Sequence, residues 1–173
     1  YSIADDYITS RRIADTANYM YTNVSKATTF GSELSASYKH DTSWGMFQPY
    51  LAFTWMRREY DYGDGFTTYD SGTPEWFGRY GVRYIKSIND YINLRSDAYG
   101  RSQTATKTAY SDGTSDKIGG FTTANFSLGL DFGKNKEFSL DTEVQNIFDK
   151  RYQYNYAILE PGVHANVRLG YKF

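Results

Sequence analysis

The feature that most restricts the fold of this chain is a two-residue alternation of apolar and polar side chains. It is clearest at residues 163–173, where every odd position is Val, Ala, Leu, Tyr or Phe and every even position is His, Asn, Arg, Gly or Lys. A helix repeats about every 3.6 residues and would mix the two sets, whereas a strand places them on opposite faces. The segment is therefore predicted to be a strand with one apolar face and one polar face.

The same alternation recurs along most of the chain. A weaker pattern near residues 1–12 is interrupted by Asp5 and Asp6. Pro49 cannot donate a backbone hydrogen bond, so it predicts a bulge in its strand. Taken together the pattern predicts an all-β fold of about eight antiparallel strands. The other alternating segments are 30–38, 47–55, 76–84, 91–99, 123–132 and 138–144.

The connections between these segments are alternately short and long. Bacterial outer-membrane barrels have this arrangement, with short periplasmic turns and long extracellular loops. The pattern thus predicts strands of a transmembrane β-barrel. The short connections are 40–44, 87–90 and 133–136, and the long ones are 57–74, 100–118 and 149–161.

Large aromatic side chains concentrate at both ends of the expected strands. Trp55 and Trp76 flank a long connection, whereas Tyr and Phe residues lie beside the short ones. Two such girdles mark the membrane–water interfaces of a transmembrane barrel. The second set comprises Tyr38, Phe47, Tyr84, Phe132, Phe138, Tyr171 and Phe173.

Composition excludes several other classes of protein. Aromatic residues make up 18% of the chain, too many for a disordered segment. The net charge of -1 gives no electrostatic basis for binding nucleic acid. There is no Cys for a disulfide scaffold or thiolate metal site, and no apolar run reaches the roughly 20 residues of a membrane helix. With two His and no Gly-rich phosphate loop, we expect no catalytic residues, no metal site, no cofactor and no enzyme activity.

Three architectures are compatible with the alternation. A wide transmembrane barrel leaves its polar face towards water, and the charges on that face favour it. A complete barrel of about eight strands, with a structural or adhesive role, needs a lumen packed with side chains. Inward-facing Gly31, Gly81, Gly129 and Gly170 disfavour that. A soluble β-rich binding domain would bury the apolar face instead. The charges on the polar face are Glu33, Arg79, Arg83, Arg95, Asp131, Asp141, Glu143 and Arg168.

Near its end the chain contains Asn146, Ile147, Phe148, Asp149, Lys150 and Tyr152, followed by Pro161, Gly162 and a final Phe173. This terminal motif resembles the last strands of TonB-dependent outer-membrane receptors. Val163 departs from it, since that family usually has Arg after the Pro-Gly pair. Two upstream segments are also similar: Asn23 followed by Gly31 and Glu33, and Pro74 leading into a strand.

The resemblance implies that residues 1–173 are the C-terminal part of a barrel of about 22 strands closed by a plug domain. The plug and the segment that engages TonB would lie outside these residues. The implied function is active import of a metal chelate, such as a ferric siderophore, haem or cobalamin, energised by the TonB complex through the plug. The implied partners are outer-membrane lipid, the plug and remaining strands, the barrel-assembly machinery and the chelate.

Three sets of residues are candidates for functional roles. The motif residues Asn146 and Asp149 are expected to hydrogen-bond nearby backbone and stabilise a turn, and Pro161–Gly162 to set the start of the last strand. Tyr171 and Phe173 resemble the C-terminal signal for barrel assembly. Rings and cations in the long connections are candidate ligand contacts, with a role in loop stability as the alternative. They are Arg57, Arg58, Tyr60, Tyr62, Phe66, Tyr69, Arg101, Tyr110, Tyr154 and Tyr156.

Overall fold

The computed structural model describes residues 1–12, 19–63, 65–110, 113–156 and 158–172. All regular structure in these ranges is β-strand. No helix capable of crossing a membrane occurs in the described part of the chain. The strands are β1 (Ser2–Arg12), β2 (Tyr19–Ser37), β3 (His40–Thr42), β4 (Gly45–Asp61), β5 (Thr67–Thr68), β6 (Trp76–Asn89), β7 (Ile92–Gln103), β8 (Thr106–Ala109), β9 (Ser115–Ile118), β10 (Phe121–Phe132), β11 (Phe138–Gln145) and β12 (His164–Tyr171).

The strands form one long antiparallel meander. The order in the main sheet is β1-β2-β4-β6-β7-β10-β11-β12, and β3 and β5 pair with β4 at its two ends. β8 and β9 form a separate two-stranded hairpin within the connection from β7 to β10. β1 and β12 lie at opposite edges, so the described strands are an open wall rather than a closed small barrel.

The wall has one apolar face and one charged face, as the alternation predicts. The apolar face carries Leu34, Val82, Phe126, Val167 and Leu169, and the charged face carries the Arg, Asp and Glu residues between them. The apolar side chains are exposed: Phe126 is 41% accessible, Val167 70% and Leu169 78%. A soluble sandwich would bury these residues in a core, so the soluble alternative is not supported.

Pro49 does not cause the bulge that its residue type predicts. The register of β4 with β6 is continuous through the pair Pro49–Val82. On its other side, the Pro49 carbonyl accepts a hydrogen bond from the backbone N–H of Tyr38 at 3.1 Å, but Pro49 has no N–H to return. The interruption falls instead on the neighbouring strand, where β2 ends at Ser37 and β3 begins at His40 in the same register.

Two strands are longer than the alternation predicts. β4 continues to Asp61, so the expected loop at 57–74 begins inside a strand, and Arg57, Arg58 and Tyr60 are strand residues. β2 begins at Tyr19 and pairs with the β4 extension from Lys26 onward, with Lys26 opposite Asp61. This extension lies beyond the apolar part of the wall, so both of its faces carry polar residues. The two-residue alternation that predicts a strand is therefore lost there.

The expected loop at 100–118 also differs from the structure. β7 continues to Gln103, so Arg101 is a strand residue. The rest of this connection contains the hairpin β8–β9. A bridge between Ser71 and Thr108 joins the hairpin to the connection after β5. The expected strand near residues 1–12 is present as β1, and Asp6 has a positive φ of 52° within it.

Aromatic rings on the apolar face form two groups at opposite ends of the wall. At the end with long connections, the Trp55 and Trp76 rings are 6.2 Å apart. At the end with short turns, Phe47 and Tyr84 are 4.8 Å apart. Trp76 and Tyr84 lie on the same strand, and at about 3.3 Å per residue they are roughly 26 Å apart along it. This separation fits a tilted membrane-spanning strand of about 9–11 residues.

Candidate functional site

The charged face carries a connected network of polar side chains centred on Asp97. The Tyr50 hydroxyl donates to both Asp97 carboxylate oxygens at 3.0 Å. Arg79 Nη2 lies 3.0 Å from Asp97 Oδ2, and Arg83 Nε lies 3.7 Å from the same oxygen. The Arg79 guanidinium also lies over the Tyr99 ring, 3.7 Å from its centre. These contacts join β4, β6 and β7 and fix the orientation of Arg79.

The network continues to β11 through Glu143. The Tyr99 hydroxyl donates to Glu143 Oε1 at 2.7 Å, and Gln145 Nε2 donates to the other oxygen at 2.9 Å. Charge-assisted hydrogen bonds of this length are stronger than neutral ones. The Glu143 carboxylate is therefore engaged by protein donors on both of its oxygens.

A second group of charges surrounds Arg95. Its guanidinium donates to both oxygens of Asp131, at 2.8 and 2.9 Å, and to Asp141 at 3.1 Å. Gly129 lies opposite both Arg95 and Asp141 in the sheet. A Cβ at Gly129 would meet Asp141 Oδ1 at 2.6 Å and Arg95 Cζ at 3.1 Å. The absence of a side chain at this position lets the ion pair lie flat across the wall.

The charged face is concave near the middle of the wall. A cavity of about 590 Å³ lies there, lined by Arg83, Arg95, Asp141, Glu143 and Arg168 among others. A second cleft, of about 640 Å³, lies towards the long connections. Arg79, Arg101, Gln103, Phe121 and Tyr154 line it.

The connection from β11 to β12 packs over the second cleft. The Phe121 ring lies 4.2 Å from the Tyr152 ring and 5.2 Å from the Tyr154 ring. Burial, and then the neighbouring Tyr154 and Glu160, raise the pKa of the Tyr152 phenol. Tyr154 thus places aromatic surface in the cleft that Arg79 and Arg101 also line.

Asn146 holds the start of this connection. It is 1% accessible and has a positive φ of 53°. Its Oδ1 accepts from the Lys150 N–H at 2.9 Å, while its Nδ2 donates to the Lys150 carbonyl at 2.9 Å and to the Pro161 carbonyl at 3.4 Å. Its own N–H donates to Asn125 Oδ1 at 3.0 Å. Asn146, the first residue of the terminal motif, is therefore hydrogen-bonded both to the following turn, at Lys150, and to β10, at Asn125.

Asp149 connects the same turn to the start of the last strand. Its Oδ1 accepts from the Val163 N–H at 3.0 Å. A Cβ at Gly162 would overlap this carboxylate oxygen, so the position next to Pro161 has room only for Gly. Phe148, by contrast, is exposed. The hydrogen bonds of Asn146 and Asp149 to backbone groups are those that the sequence predicts.

Several of the proposed ligand contacts are occupied within the protein. Tyr60 is buried beside Ala27, and its ring lies 5.6 Å from Tyr7 and 6.2 Å from Tyr62. Tyr110 is also buried, and its hydroxyl donates to Asp116 at 2.9 Å. These two rings stabilise the extension of the wall and the β8–β9 hairpin, which agrees with the structural alternative.

The remaining candidates do not form one site. Arg57 is on the apolar side, paired with Glu75 at 3.1 Å and lying 4.7 Å from the centre of the Tyr69 ring. Arg58 is on the opposite side and donates to Thr29 at 2.9 Å. Phe66 contacts Tyr62, with ring centres 5.6 Å apart, and Tyr156 is exposed on the β11–β12 connection. Only Arg101 and Tyr154 of the predicted set line the second cleft.

Of the two expected assembly-signal residues, Tyr171 lies on the apolar face. It is exposed, and its ring is 5.1 Å from Phe138, which in turn is 5.5 Å from Phe132. Phe173 lies outside the described residues.

Sequence reasoning did not single out Tyr50, Asp97, Tyr99 and Phe121 as site residues. All four lie on the charged side of their strands. Their position in the apolar–polar alternation was the only feature of the sequence that could have indicated this. Their importance comes from contacts across strands, such as Tyr50 with Asp97, which depend on the register of β4, β6 and β7. Within the described ranges, no group of His, Asp and Glu side chains is arranged to hold a metal ion.

An open antiparallel wall, exposed and apolar on one side and charged on the other, defines part of a transmembrane β-barrel. A comparison with family models agrees: the model described as "TonB dependent receptor-like, beta-barrel" matches residues 1–147. The chain therefore belongs to the TonB-dependent receptor β-barrel family, which confirms the resemblance. Proteins of this family are transporters of the Gram-negative outer membrane, not enzymes. No curated protein sequence matches the chain.

The family match covers β1 to β11 and ends at residue 147. The terminal motif from Phe148 onward is therefore outside it, although Asn146 and Ile147 are inside. The last strand, β12, pairs directly with β11 of the matched region, and Asn146 hydrogen-bonds the turn that follows the matched region.

Proposed function

We propose that this chain forms part of the wall of an importer that takes up a metal chelate and is energised by TonB. Candidate cargoes are ferric siderophores, haem and cobalamin. The observation that carries the proposal is the second cleft on the charged face, where Arg79 and Arg101 lie beside the rings of Phe121 and Tyr154. Planar rings and cations suit large ligands that combine π-systems with negative charge.

The proposal includes a plug domain against the charged face. The ion pairs of Arg79, Arg83 and Arg95 neutralise much of this face within the wall itself. A separate domain that contacts these paired charges can bind through water-mediated and weak polar contacts. Such contacts suit a domain that must be displaced during transport.

Growth of a deletion strain tests the proposed import. The strain is supplied in turn with a ferric siderophore, haem or cobalamin as the sole source of the limiting nutrient. We expect growth on one of these sources to be lost and restored by the intact gene. A second strain that lacks only TonB should show the same loss. Normal growth of the deletion strain on every source, or growth that does not depend on TonB, would contradict the proposal.

We also propose that Tyr171 and Phe173 are read by the barrel-assembly machinery. Tyr171 is exposed on the apolar face at the end with short turns, where it is accessible to a partner protein. Removal of Phe173 should lower the amount of receptor in the outer membrane more than it lowers the unfolding temperature of the inserted protein. Lys172→Ala is the matched control on the adjacent residue. Equal membrane levels of the truncated and intact receptors would reject this role.

A further inference from the structure

The apolar face of the wall carries one charged strand residue between the Trp55–Trp76 pair and the short turns, within the ranges that the structure describes. This residue is Lys86, which lies at an even position of β6, like Trp76, and opposite Leu94 of β7. Arg57, by contrast, lies beyond the Trp pair, in the extension. A cation on a lipid-facing surface is costly, so a residue of this kind indicates a functional contact with a specific partner.

Lys86 lies at the level of the lipid headgroups. The interval from Trp76 to Lys86 measures roughly 33 Å along β6, at about 3.3 Å per residue. A strand tilt of about 40° reduces this to roughly 25 Å along the membrane normal, which is the height of the apolar band of an outer-membrane barrel. Because short turns are on the periplasmic side of such barrels, Lys86 is at the boundary of the inner leaflet.

The Lys86 ammonium has no ion-pair or hydrogen-bond partner in the described part of the chain. The side chain is half-buried, as expected when an aliphatic stem lies on an apolar surface and its charged end reaches the interface. Other cations are paired: Arg57 lies 3.1 Å from Glu75. Lys136, at the same end of the wall as Lys86, donates to Asn93 on the charged face at 3.0 Å. A partner for Lys86 must therefore come from outside the wall.

A turn beside Lys86 adds aromatic surface at the same level. The turn at Trp44 and Gly45 adjoins this part of β6, because a Cβ on Gly45 would meet the Ile85 carbonyl at 2.9 Å. The Tyr84 hydroxyl donates to the Trp44 carbonyl at 2.6 Å and so attaches the turn to the same strand. The Trp44 side chain is 75% accessible. Trp side chains favour the headgroup region, where a polar N–H and an apolar ring are both accommodated.

We propose that Lys86 binds the phosphate of an anionic phospholipid, phosphatidylglycerol, in the inner leaflet, and that Trp44 packs against the glycerol backbone of the same lipid. The ammonium is a compact point charge that attracts a phosphate without requiring a planar partner. A zwitterionic lipid is a poorer partner, because its own cation repels Lys86 and offsets the charge of its phosphate. The proposal goes beyond import and does not depend on which cargo is carried.

Native mass spectrometry of the intact receptor, titrated with phosphatidylglycerol or phosphatidylcholine, tests this proposal. We expect the wild type to bind phosphatidylglycerol about fivefold more tightly than phosphatidylcholine, and Lys86→Gln to remove that preference. Lys86→Arg keeps the charge and should keep the preference. Lys136→Gln is the matched control, because it removes a cation at the same end of the wall whose ammonium contacts the charged face. Trp44→Leu should weaken both lipids alike, since the ring contact does not depend on headgroup charge.

Three results would overturn the proposal: equal affinity of the wild type for both lipids, a preference that survives in Lys86→Gln, or the same loss of preference in Lys86→Gln and Lys136→Gln. A third probe, lipid A, distinguishes the two leaflets. Binding of lipid A at Lys86 more tightly than phosphatidylglycerol would also overturn it, because that glycolipid belongs to the outer leaflet. The titrations use no cargo and no TonB, so their outcome is separate from that of the growth experiment.

Discussion

The side chain of Asn146 pairs with both backbone groups of Lys150. Oδ1 accepts from the Lys150 N–H and Nδ2 donates to its carbonyl, each at 2.9 Å. An amide is the only side chain that offers an acceptor and a donor on one planar group with this short reach. Asn also tolerates the positive φ of 53° found here better than other residues with a Cβ.

The first prediction concerns this amide. Asn146→Ala should lower the free energy of unfolding by about 3 kcal/mol, because it leaves buried backbone groups without partners and strains the backbone. Asn146→Asp keeps the φ tolerance but turns a second acceptor towards the Lys150 and Pro161 carbonyls, so it should also destabilise. Denaturant unfolding of the intact receptor in lipid vesicles measures both. Asn135→Ala, in an exposed turn, is the control, and equal stability of all variants would contradict the role.

A second prediction concerns the space above Gly129. Gly129→Ala should destabilise the receptor by about 1–2 kcal/mol, because its Cβ displaces the contact between Arg95 and Asp141. Gly119→Ala is a matched control, since nothing lies within 4 Å of a Cβ there.

A double-mutant cycle identifies the cause of the Gly129 effect. When Asp141→Ala removes the nearest atom, the added cost of Gly129→Ala should fall by more than half. An undiminished cost in the Asp141→Ala background would show that the strain arises elsewhere. The unfolding measurements are the same as those for Asn146.

The fold could be predicted from the sequence wherever strands cross the apolar band. There the two environments force a period of two, as in the strand that carries Val167 and Leu169. The signal ends at Arg57, because both faces of β4 meet polar surroundings from that point, and the alternation no longer distinguishes strand from loop. The β8–β9 hairpin was not predicted for the same reason, since its strands TKTA and SDKI have few apolar residues.

The candidate site could be predicted less well than the fold. Arg101 and Tyr154 were named from composition, but so were Tyr60 and Tyr110, which are buried. Composition cannot distinguish an accessible ring from a packed one, because this depends on which strands are neighbours. Asp97 shows the same limit: its partners Tyr50 and Arg79 lie 47 and 18 residues away in sequence and meet it only through the sheet register.

A third prediction uses the raised pKa of Tyr152. A phenol whose folded-state pKa exceeds its unfolded value stabilises the fold fully below the unfolded pKa of about 10 and loses that contribution as pH rises through the folded pKa. Wild-type receptor should therefore lose stability above about pH 10 relative to Tyr152→Phe, which keeps the ring contact with Phe121 but does not titrate. Because the chain has 18 Tyr, only the difference between the two proteins is informative. A difference independent of pH would refute the prediction.

The last prediction tests which side of the wall meets lipid. Val167 is 70% accessible on the apolar face, opposite Thr142 near the middle of the last strand pair. Val167→Arg should destabilise the receptor in lipid vesicles by about 2–4 kcal/mol, the cost of a cation near the bilayer midplane on the lipid face of a barrel. Asn166→Arg places the same side chain one residue earlier, on the charged face opposite Glu143, and should cost less than about 1 kcal/mol. Equal costs at the two positions would contradict the assignment of the two faces, and a larger cost at Asn166 would reverse it. The comparison is sensitive because neighbouring residues of a strand lie on opposite faces.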